Sequence, residues 1–341
     1  MKIFIKAVSY YLPERLLSNE MLSEIHPEWS IDKISSKTGI KLRHIAADNE
    51  FVSDLAIKAA KSMMDEYCIS SSSIDFILLC TQSPDYLLPT TACLIQHSLN
   101  IPSTAGALDF NLGCSGYIYG LSIAKGLIAG NVAENVLLIT SETYSKYIHP
   151  DDKSNRTIFG DGATASLISK QGFAEIKDFI LGTDGSGAPN LIVKQGGSRL
   201  PMKSNETFVD SYGNVHSDAN LFMNGPEIFT FTGQAVPALV ENTIKKNNLS
   251  FEDIDGFIFH QANLFMLNFL KKKIKIEDKK FFVFIEECGN TVSSTIPIAL
   301  KEAKKVGFLK GKKNILLAGF GVGYSWGGVI IELTEHDFYQ K

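Results

Sequence analysis

The chain has 341 residues, 45% of them hydrophobic and 21% charged, with 33 basic against 37 acidic side chains and a formal net charge of −4. At roughly 150 residues per domain this length holds about two domains, or one large two-part body with a sizeable core. The composition excludes collagen, coiled-coil and disordered classes, and the slightly acidic balance argues against general nucleic-acid binding. Five cysteines, an odd count in a long chain, do not suggest a disulfide framework. The start, Met1-Lys2-Ile3-Phe4-Ile5-Lys6, has too short an apolar run for a signal peptide. The longest apolar stretch, Ile315 to Ile331, is cut by glycines and reads as strand–turn–strand, not as a spanning helix. These features point to a soluble protein of a reducing cytoplasm.

Val52, Leu55, Ala56, Ala59, Ala60, Met63 and Met64 recur at helical spacing and predict one apolar helix face, with Ser53 near its start as a cap. A strand follows over 74–80. Cys68, Cys80 and Cys93 fall on helix or strand patterns and read as core. Residues 105–110 read as a buried strand, and Leu121, Ala124, Leu127 and Ile128 as the face of the next helix. Cys114, within Asn111-Leu112-Gly113-Cys114-Ser115-Gly116-Tyr117, therefore falls at a strand-to-helix turn. Unpaired N–H groups at a helix N-terminus stabilise a thiolate, so this position predicts a lowered cysteine pKa. Gly113 and Gly116 permit a tight turn and close approach of a substrate. The competing reading is a small buried hydrophobe. Phe159-Gly160-Asp161-Gly162-Ala163-Thr164-Ala165 reads as a turn before a strand. Residues 195–221 are polar and rich in Gly, Ser and Asn, and read as a surface loop or hairpin.

Two pieces of the first half return in the second. Ile74-Asp75-Phe76-Ile77-Leu78 reappears as Ile254-Asp255-Gly256-Phe257-Ile258, 180 residues on (74 to 254). Asn135-Val136-Leu137-Leu138 reappears as Asn314-Ile315-Leu316-Leu317, 179 residues on (135 to 314). Nearly equal offsets predict a duplicated mixed α/β unit, with halves over 1–170 and 171–341, whose apolar strands are covered on both faces by helices. His260-Gln261-Ala262-Asn263 begins where a repeat strand ends, the place where open α/β sheets bind ligands. An imidazole there can exchange protons near neutral pH, or can be a satisfied structural side chain. His26, His44, His97, His149, His216 and His336 lack such a setting.

Glu287-Cys288-Gly289-Asn290-Thr291-Val292-Ser293-Ser294-Thr295 precedes a helix over 296–305, with Pro297 in its first turn. Ser294 lies 180 residues after Cys114 (114 to 294), so the Asn290 loop is the duplicate of the nucleophile loop. Duplication then brings both helix N-termini to one central cleft. Cys288 reads as core or loop packing. Gly319-Phe320-Gly321-Val322-Gly323-Tyr324-Ser325-Trp326-Gly327 is either a nest of backbone N–H groups or a plain hairpin. A strand follows it, so it is not a nucleotide-binding fingerprint. No cysteine and histidine spacing resembles a zinc site. The polar tail ending at Lys341 suggests no role.

With Cys114, His260 and Asn290 in place, the chain resembles the β-ketoacyl-acyl-carrier-protein synthase III family of the thiolase-like superfamily. The likeness covers nearly the whole length, through Tyr11-Leu12-Pro13, Lys37-Thr38-Gly39-Ile40, Asn111 to Gly116, Phe159 to Ala163, His260 to Asn263, Gly289-Asn290-Thr291 and the Trp326-Gly327 ending. The resemblance implies a duplicated, five-layer αβαβα thiolase-like fold and a cytoplasmic homodimer of fatty-acid biosynthesis, with a Cys–His–Asn site at the base of a narrow tunnel. It implies that Cys114 takes the acyl group of a thioester primer. It implies that His260 and Asn290 bind the thioester carbonyl of malonyl-acyl-carrier protein and stabilise the enolate formed as carbon dioxide leaves. Backbone N–H groups of Cys114 and Val322 then form the oxyanion hole. No metal or redox cofactor is implied; the substrates are thioesters of coenzyme A or of the acyl-carrier-protein phosphopantetheine.

The resemblance also carries departures. Positions that sandwich the adenine of coenzyme A correspond to Lys33, four residues after Trp29, and to Lys153, with Arg156 nearby. Lysine stacks less well than tryptophan or arginine, which makes a carrier-protein-bound primer plausible. Asn263 joins the implied substrate contacts. Phe265 replaces a basic residue common in the family, while Lys271, Lys272, Lys273 and Lys275 form a basic patch that could meet an acidic carrier protein. Leu88 matches a position that caps the partner subunit's acyl tunnel. The runner-up activity is an acyltransferase that moves the Cys114-bound acyl group to a hydroxyl or amine without decarboxylation.

Overall fold

Strands that are apolar throughout leave no face for water, so both faces of their sheet must be covered. The computed structural model describes residues 1–334 apart from 203, 205, 211 and 212; His336 and the tail ending at Lys341 lie outside the described residues. In it, ten strands hydrogen-bond in the order Phe281–Phe282, Gly256–Phe259, Asn314–Gly321, Ser325–Leu333, Ala174–Thr183, Phe4–Tyr11, Gly162–Ser169, Val136–Glu142, Phe76–Cys80, Gly106–Phe110. The first five come from residues after 170 and the last five from residues before it. The two sets join where Phe4 pairs with Glu175 and Ile5 with Ala174.

The repeated pieces occupy equivalent places. Phe76–Cys80 runs parallel to Val136–Glu142, as Gly256–Phe259 does to Asn314–Gly321. The repeated aspartate makes the same turn in both halves. Asp75 Oδ2 accepts from the N–H groups of Glu134 and Asn135, both at 2.9 Å. Asp255 Oδ2 accepts from Lys313 at 2.9 Å and Asn314 at 3.0 Å. One carboxylate thus registers the start of two neighbouring strands, which explains why both sequence pairs recur at nearly one offset.

Alternation along each strand sorts the layers. Ile77 and Leu79 pack with Val52, Leu55 and Ala59 of the helix Val52–Tyr67. Leu78, between them, packs with Tyr117, Ile118 and Leu121 of the helix Gly116–Ala129. In the second half Phe257 and Phe259 meet Leu239 of Gly225–Lys246 and Leu267 of Leu264–Ile274. Ile258 faces the other way, toward Ile296 and Leu300 of Thr295–Lys305. The layers run helix, sheet, helix, sheet, helix, the five-layer αβαβα thiolase-like arrangement, with Gly116–Ala129 and Thr295–Lys305 in the middle. Each such fully buried side chain contributes ~1.5–3 kcal/mol.

Three local expectations are revised. Ser53 lies inside the first helical turn and does not cap it. Asp85, from a separate loop, accepts from the Ser53 N–H at 3.0 Å and its hydroxyl at 2.6 Å, placing a carboxylate at the helix N-terminus. The strand Gly106–Phe110 is half-buried because it forms one end of the sheet. Cys68 and Cys93, read as core, are exposed. Within 195–221 a short hairpin pairs Phe208–Val209 with Val215–His216, in keeping with the loop-or-hairpin reading. Among the described residues no helix is long and apolar enough to cross a membrane.

Candidate active site

Cys114 sits where the chain leaves Gly106–Phe110 and turns into the helix Gly116–Ala129. Glycines let a second segment lie flat against that turn. A Cβ on Gly321 would stand 2.8 Å from Cys114 Cβ and 3.0 Å from its sulfur, and one on Gly319 would stand 2.8 Å from the Cys114 carbonyl oxygen. The approach lets Val322 donate its backbone N–H to the thiol sulfur, alongside the N–H of Cys114 itself. Burial nonetheless pushes the thiol up to about 12, with the Glu142 carboxylate adding to the rise and the two N–H groups opposing it. The sequence expectation of a lowered pKa is therefore reversed. The helix-terminal donors are present, but the water that would solvate a thiolate is not. Alkylation of Cys114 by iodoacetamide should rise about tenfold per pH unit from about pH 6 to pH 9 with no plateau. Mass spectrometry of the modified peptide checks this; a plateau near neutral pH would contradict it.

His260 follows the strand Gly256–Phe259, its N–H bonded to the Ala318 carbonyl at 2.8 Å. Its Nδ1 lies 2.7 Å from the Thr295 hydroxyl, and its ring stands edge-on to Phe320 at 5.7 Å between centroids. Burial lowers its pKa to about 3, so the imidazole is neutral at physiological pH.

Asn290 is held by the opposite half. Its N–H donates to the Ile158 carbonyl at 2.9 Å, and its carbonyl accepts from Gly160 at 3.0 Å. Its side-chain Oδ1 accepts from the Val292 N–H at 2.9 Å, which leaves the amide nitrogen as the donor turned to the cavity. Val292 is a buried β-branched residue at φ +56°, a conformation costing ~1–3 kcal/mol. That strained turn carries both groups, since Thr295 also donates to the Val292 carbonyl at 3.1 Å.

The two halves are further tied by Glu142, a fully buried carboxyl. It accepts from the hydroxyls of Ser83 and Ser293, each at 3.0 Å, and from the Gln82 N–H. Burial raises it to about 8. Sequence reasoning missed Thr295, Val292 and Glu142. A lone acid at a strand end and a left-handed valine carry no spacing signal, although Thr295 directly follows the duplicate position Ser294.

Cys114, His260 and Asn290 line one cavity of about 510 Å³, whose walls are otherwise mostly apolar. All three side chains are buried. Asn263 lines it too, while also capping the helix Leu264–Ile274 by accepting from Met266 N–H at 2.8 Å. Phe265 stands at its rim, 61% exposed, beside Phe229. Lys33, Lys153 and Arg156 are not among its lining residues. Lys33 lies 4.9 Å from the Trp29 ring, Lys153 pairs with Glu28, and Arg156 donates to the Pro150 carbonyl at 2.6 Å. Trp29 and Lys37 instead line a groove of about 490 Å³ that shares Asn263 and Pro226 with the catalytic cavity. Leu88 is 82% exposed and away from this chain's own cavity. Lys271, Lys272 and Lys273 occupy the last turn of Leu264–Ile274, where cations also complement the helix dipole. Lys271 is paired with Asp278 at 2.6 Å.

Comparison with known proteins gives the geometry its context. Residues 108–185 match the family model of 3-oxoacyl-(acyl-carrier-protein) synthase III, and residues 244–333 match that of its C-terminal region. The chain is 38% identical over 324 residues to a beta-ketoacyl-acyl-carrier-protein synthase III of Clostridium perfringens, covering 95% of this chain and 97% of the relative. A crystal structure of a 3-oxoacyl-(acyl-carrier-protein) synthase III superposes with a TM-score of 0.95 at 48% identity, over 98% of this chain and 100% of that one. A 3-oxoacyl-(acyl-carrier-protein) synthase from Burkholderia xenovorans LB400 superposes with a TM-score of 0.87 at 35% identity, over 98% of this chain and 94% of that one.

Proposed function

The chain belongs to the 3-oxoacyl-(acyl-carrier-protein) synthase III family, and from that membership we propose that it condenses an acyl thioester primer with malonyl-acyl-carrier protein through an acyl-Cys114 intermediate. The observation that carries this reading is the convergence of one nucleophile and two neutral donors on a single buried cavity.

Cys114 Sγ attacks the primer's thioester carbonyl, and the carrier leaves as its thiol with the cysteine proton. The N–H groups of Cys114 and Val322 stabilise the oxyanion; one such donor is typically worth ~10²–10³ in rate. Loss of carbon dioxide from the malonyl group then leaves an electron pair on the thioester enolate. Asn290 donates to the enolate oxygen from its amide nitrogen, because its Oδ1 is occupied by Val292. His260 donates from Nε2 in the tautomer that accepts at Nδ1 from the Thr295 hydroxyl, whose one proton then turns from the Val292 carbonyl to the ring. The imidazole acts as a neutral N–H donor, not as a cation, since burial holds its pKa far below neutrality. The enolate carbon attacks the acyl-Cys114 carbonyl, the sulfur leaves and recovers a proton from solvent, and a 3-oxoacyl-acyl-carrier protein results. The overall reaction is an acyl transfer, and no metal or redox group enters it. The non-protein groups are the thioester arms of coenzyme A or the carrier protein.

On this reading the carrier protein docks at the Phe265 rim, with Lys272 and Lys273 ~10 Å farther along the same helix to meet its acidic face. Asn263 guides the thioester arm at the cavity mouth. With Lys33, Lys153 and Arg156 engaged elsewhere, the reading favours carrier-protein-bound primers over coenzyme A. Homodimerisation is supported by the exposed Tyr86-Leu87-Leu88 loop and by the open edge of Gly106–Phe110, where Leu108 is also exposed.

Incubation with a panel of acyl donors, followed by intact-mass measurement and assay of carbon dioxide release on adding malonyl-carrier protein, tests the reading. An acyl adduct on Cys114 followed by decarboxylation is expected. An adduct that passes to another acceptor without carbon dioxide would point to the acyltransferase instead.

A further inference from the structure

A second cavity lies close to the nucleophile turn. It stands beside the catalytic one, sharing its Leu191 wall, with a volume of about 570 Å³ bounded by Gln82, Asn111, Tyr144 and Tyr147 together with the apolar Leu87, Val193 and Leu221. A Cβ on Gly113 would stand 2.6 Å from Gln82 Oε1 and 2.7 Å from Val322, so this wall presses directly on the nucleophile turn. On the acyl-Cys114 reading, on which this inference rests, the catalytic cavity must be vacated for the malonyl thioester. The acyl chain on sulfur then needs a separate space, and the second cavity lies across Leu191, in the cluster that packs Cys114 with Tyr144 and Leu221.

That cavity has a built polar wall. The Tyr144 hydroxyl, itself buried, donates to Gln82 Oε1 at 3.1 Å, and Gln82 Nε2 donates to Asn111 Oδ1 at 3.0 Å. The Gln82 backbone is fixed at both ends: its N–H donates to Glu142, and its carbonyl accepts from the Tyr147 hydroxyl at 3.1 Å. Beyond these bonds Gln82 retains a second amide hydrogen and a second lone pair, and Tyr144 oxygen retains its lone pairs. An alkyl chain laid on this wall would displace water without replacing its hydrogen bonds. A hydroxyl both donates and accepts, and satisfies the same groups.

With the acyl chain held there, we propose that the Gln82 and Tyr144 side chains select a short hydroxyacyl primer over an unsubstituted alkyl one. Group transfer is unchanged: the hydroxyacyl carbon leaves the carrier sulfur for Cys114 Sγ, and the carrier departs as its thiol.

The test is the second-order rate of Cys114 acylation by 3-hydroxybutyryl and by butyryl thioesters, each offered on coenzyme A and on carrier protein. The hydroxyacyl group should be favoured by about tenfold or more, since a site built to bond a hydroxyl discriminates against analogues lacking it. Gln82→Leu and Tyr144→Phe should each cut that preference to about twofold or less. Equal or faster acylation by butyryl in the unaltered protein overturns the inference, as does a preference that survives in both variants. Efficient butyryl priming with carbon dioxide release would leave the condensation reading standing while sinking this one. No acylation by any thioester would contradict both.

Discussion

Cys114→Ala is expected to abolish primer acylation and condensation together, lowering turnover by about 10⁴-fold or more while leaving the fold intact. The two losses go together because, in the proposed mechanism, every later step uses the acyl group held on this sulfur. The fold should survive because the sulfur lines a cavity and makes no structural bond that alanine would leave unpaired on a partner side chain. Other cysteines offer a control within the same molecule. Cys80 and Cys288 are buried with thiols pushed upward, and neither lines the catalytic cavity. Cys68 and Cys93 are exposed but lie outside it. Peptide mapping of acylated protein should therefore find the adduct on Cys114 alone. An adduct persisting at another cysteine in Cys114→Ala would overturn the assignment.

Replacing His260 or Asn290 with alanine should divide the half-reactions. Condensation is expected to fall about 10²–10⁴-fold, whereas acylation of Cys114 changes by less than about tenfold. The division follows from which donors face which oxygen. In the proposed mechanism the acylation oxyanion is served by the backbone N–H groups of Cys114 and Val322, which neither substitution removes. The same mechanism gives the enolate oxygen to the two side chains, so alanine at either would leave developing charge with one donor fewer. Neutral His260 also predicts that condensation keeps its rate between about pH 6 and pH 7.5, because the imidazole does not titrate there. Separate single-turnover rates for acylation and for carbon dioxide release check the division. Equal loss of both would argue against it.

Much of the fold was legible because it is repeated. Asp75 and Asp255 make one turn twice, and the strands they register are apolar enough to be recognised at both places. The site was legible to the extent that it depends on position within that repeat. Cys114 and Ser294 precede equivalent helices, so the Asn290 loop had to approach the nucleophile. Electrostatics did not follow from position. A helix N-terminus suggested an acidic thiol, but burial depth decides the balance, and depth depends on residues as remote as Phe320 and Leu191. Long-range pairings were equally invisible. Lys153 is committed to Glu28, 125 residues away, and the His260 ring is oriented by Thr295 across a separate helix start. No local pattern announces such partners.

The central claim is that one sulfur and two donors in a shared cavity couple acyl capture to decarboxylation. Protein acylated on Cys114, freed of excess primer and mixed with malonyl-carrier protein labelled in its free carboxylate, gives the most direct measurement. The account predicts one carbon dioxide released for each acyl group lost from Cys114, with matching rates and one 3-oxoacyl product. Loss of the acyl group without carbon dioxide, or release of carbon dioxide while Cys114 stays acylated, would contradict it.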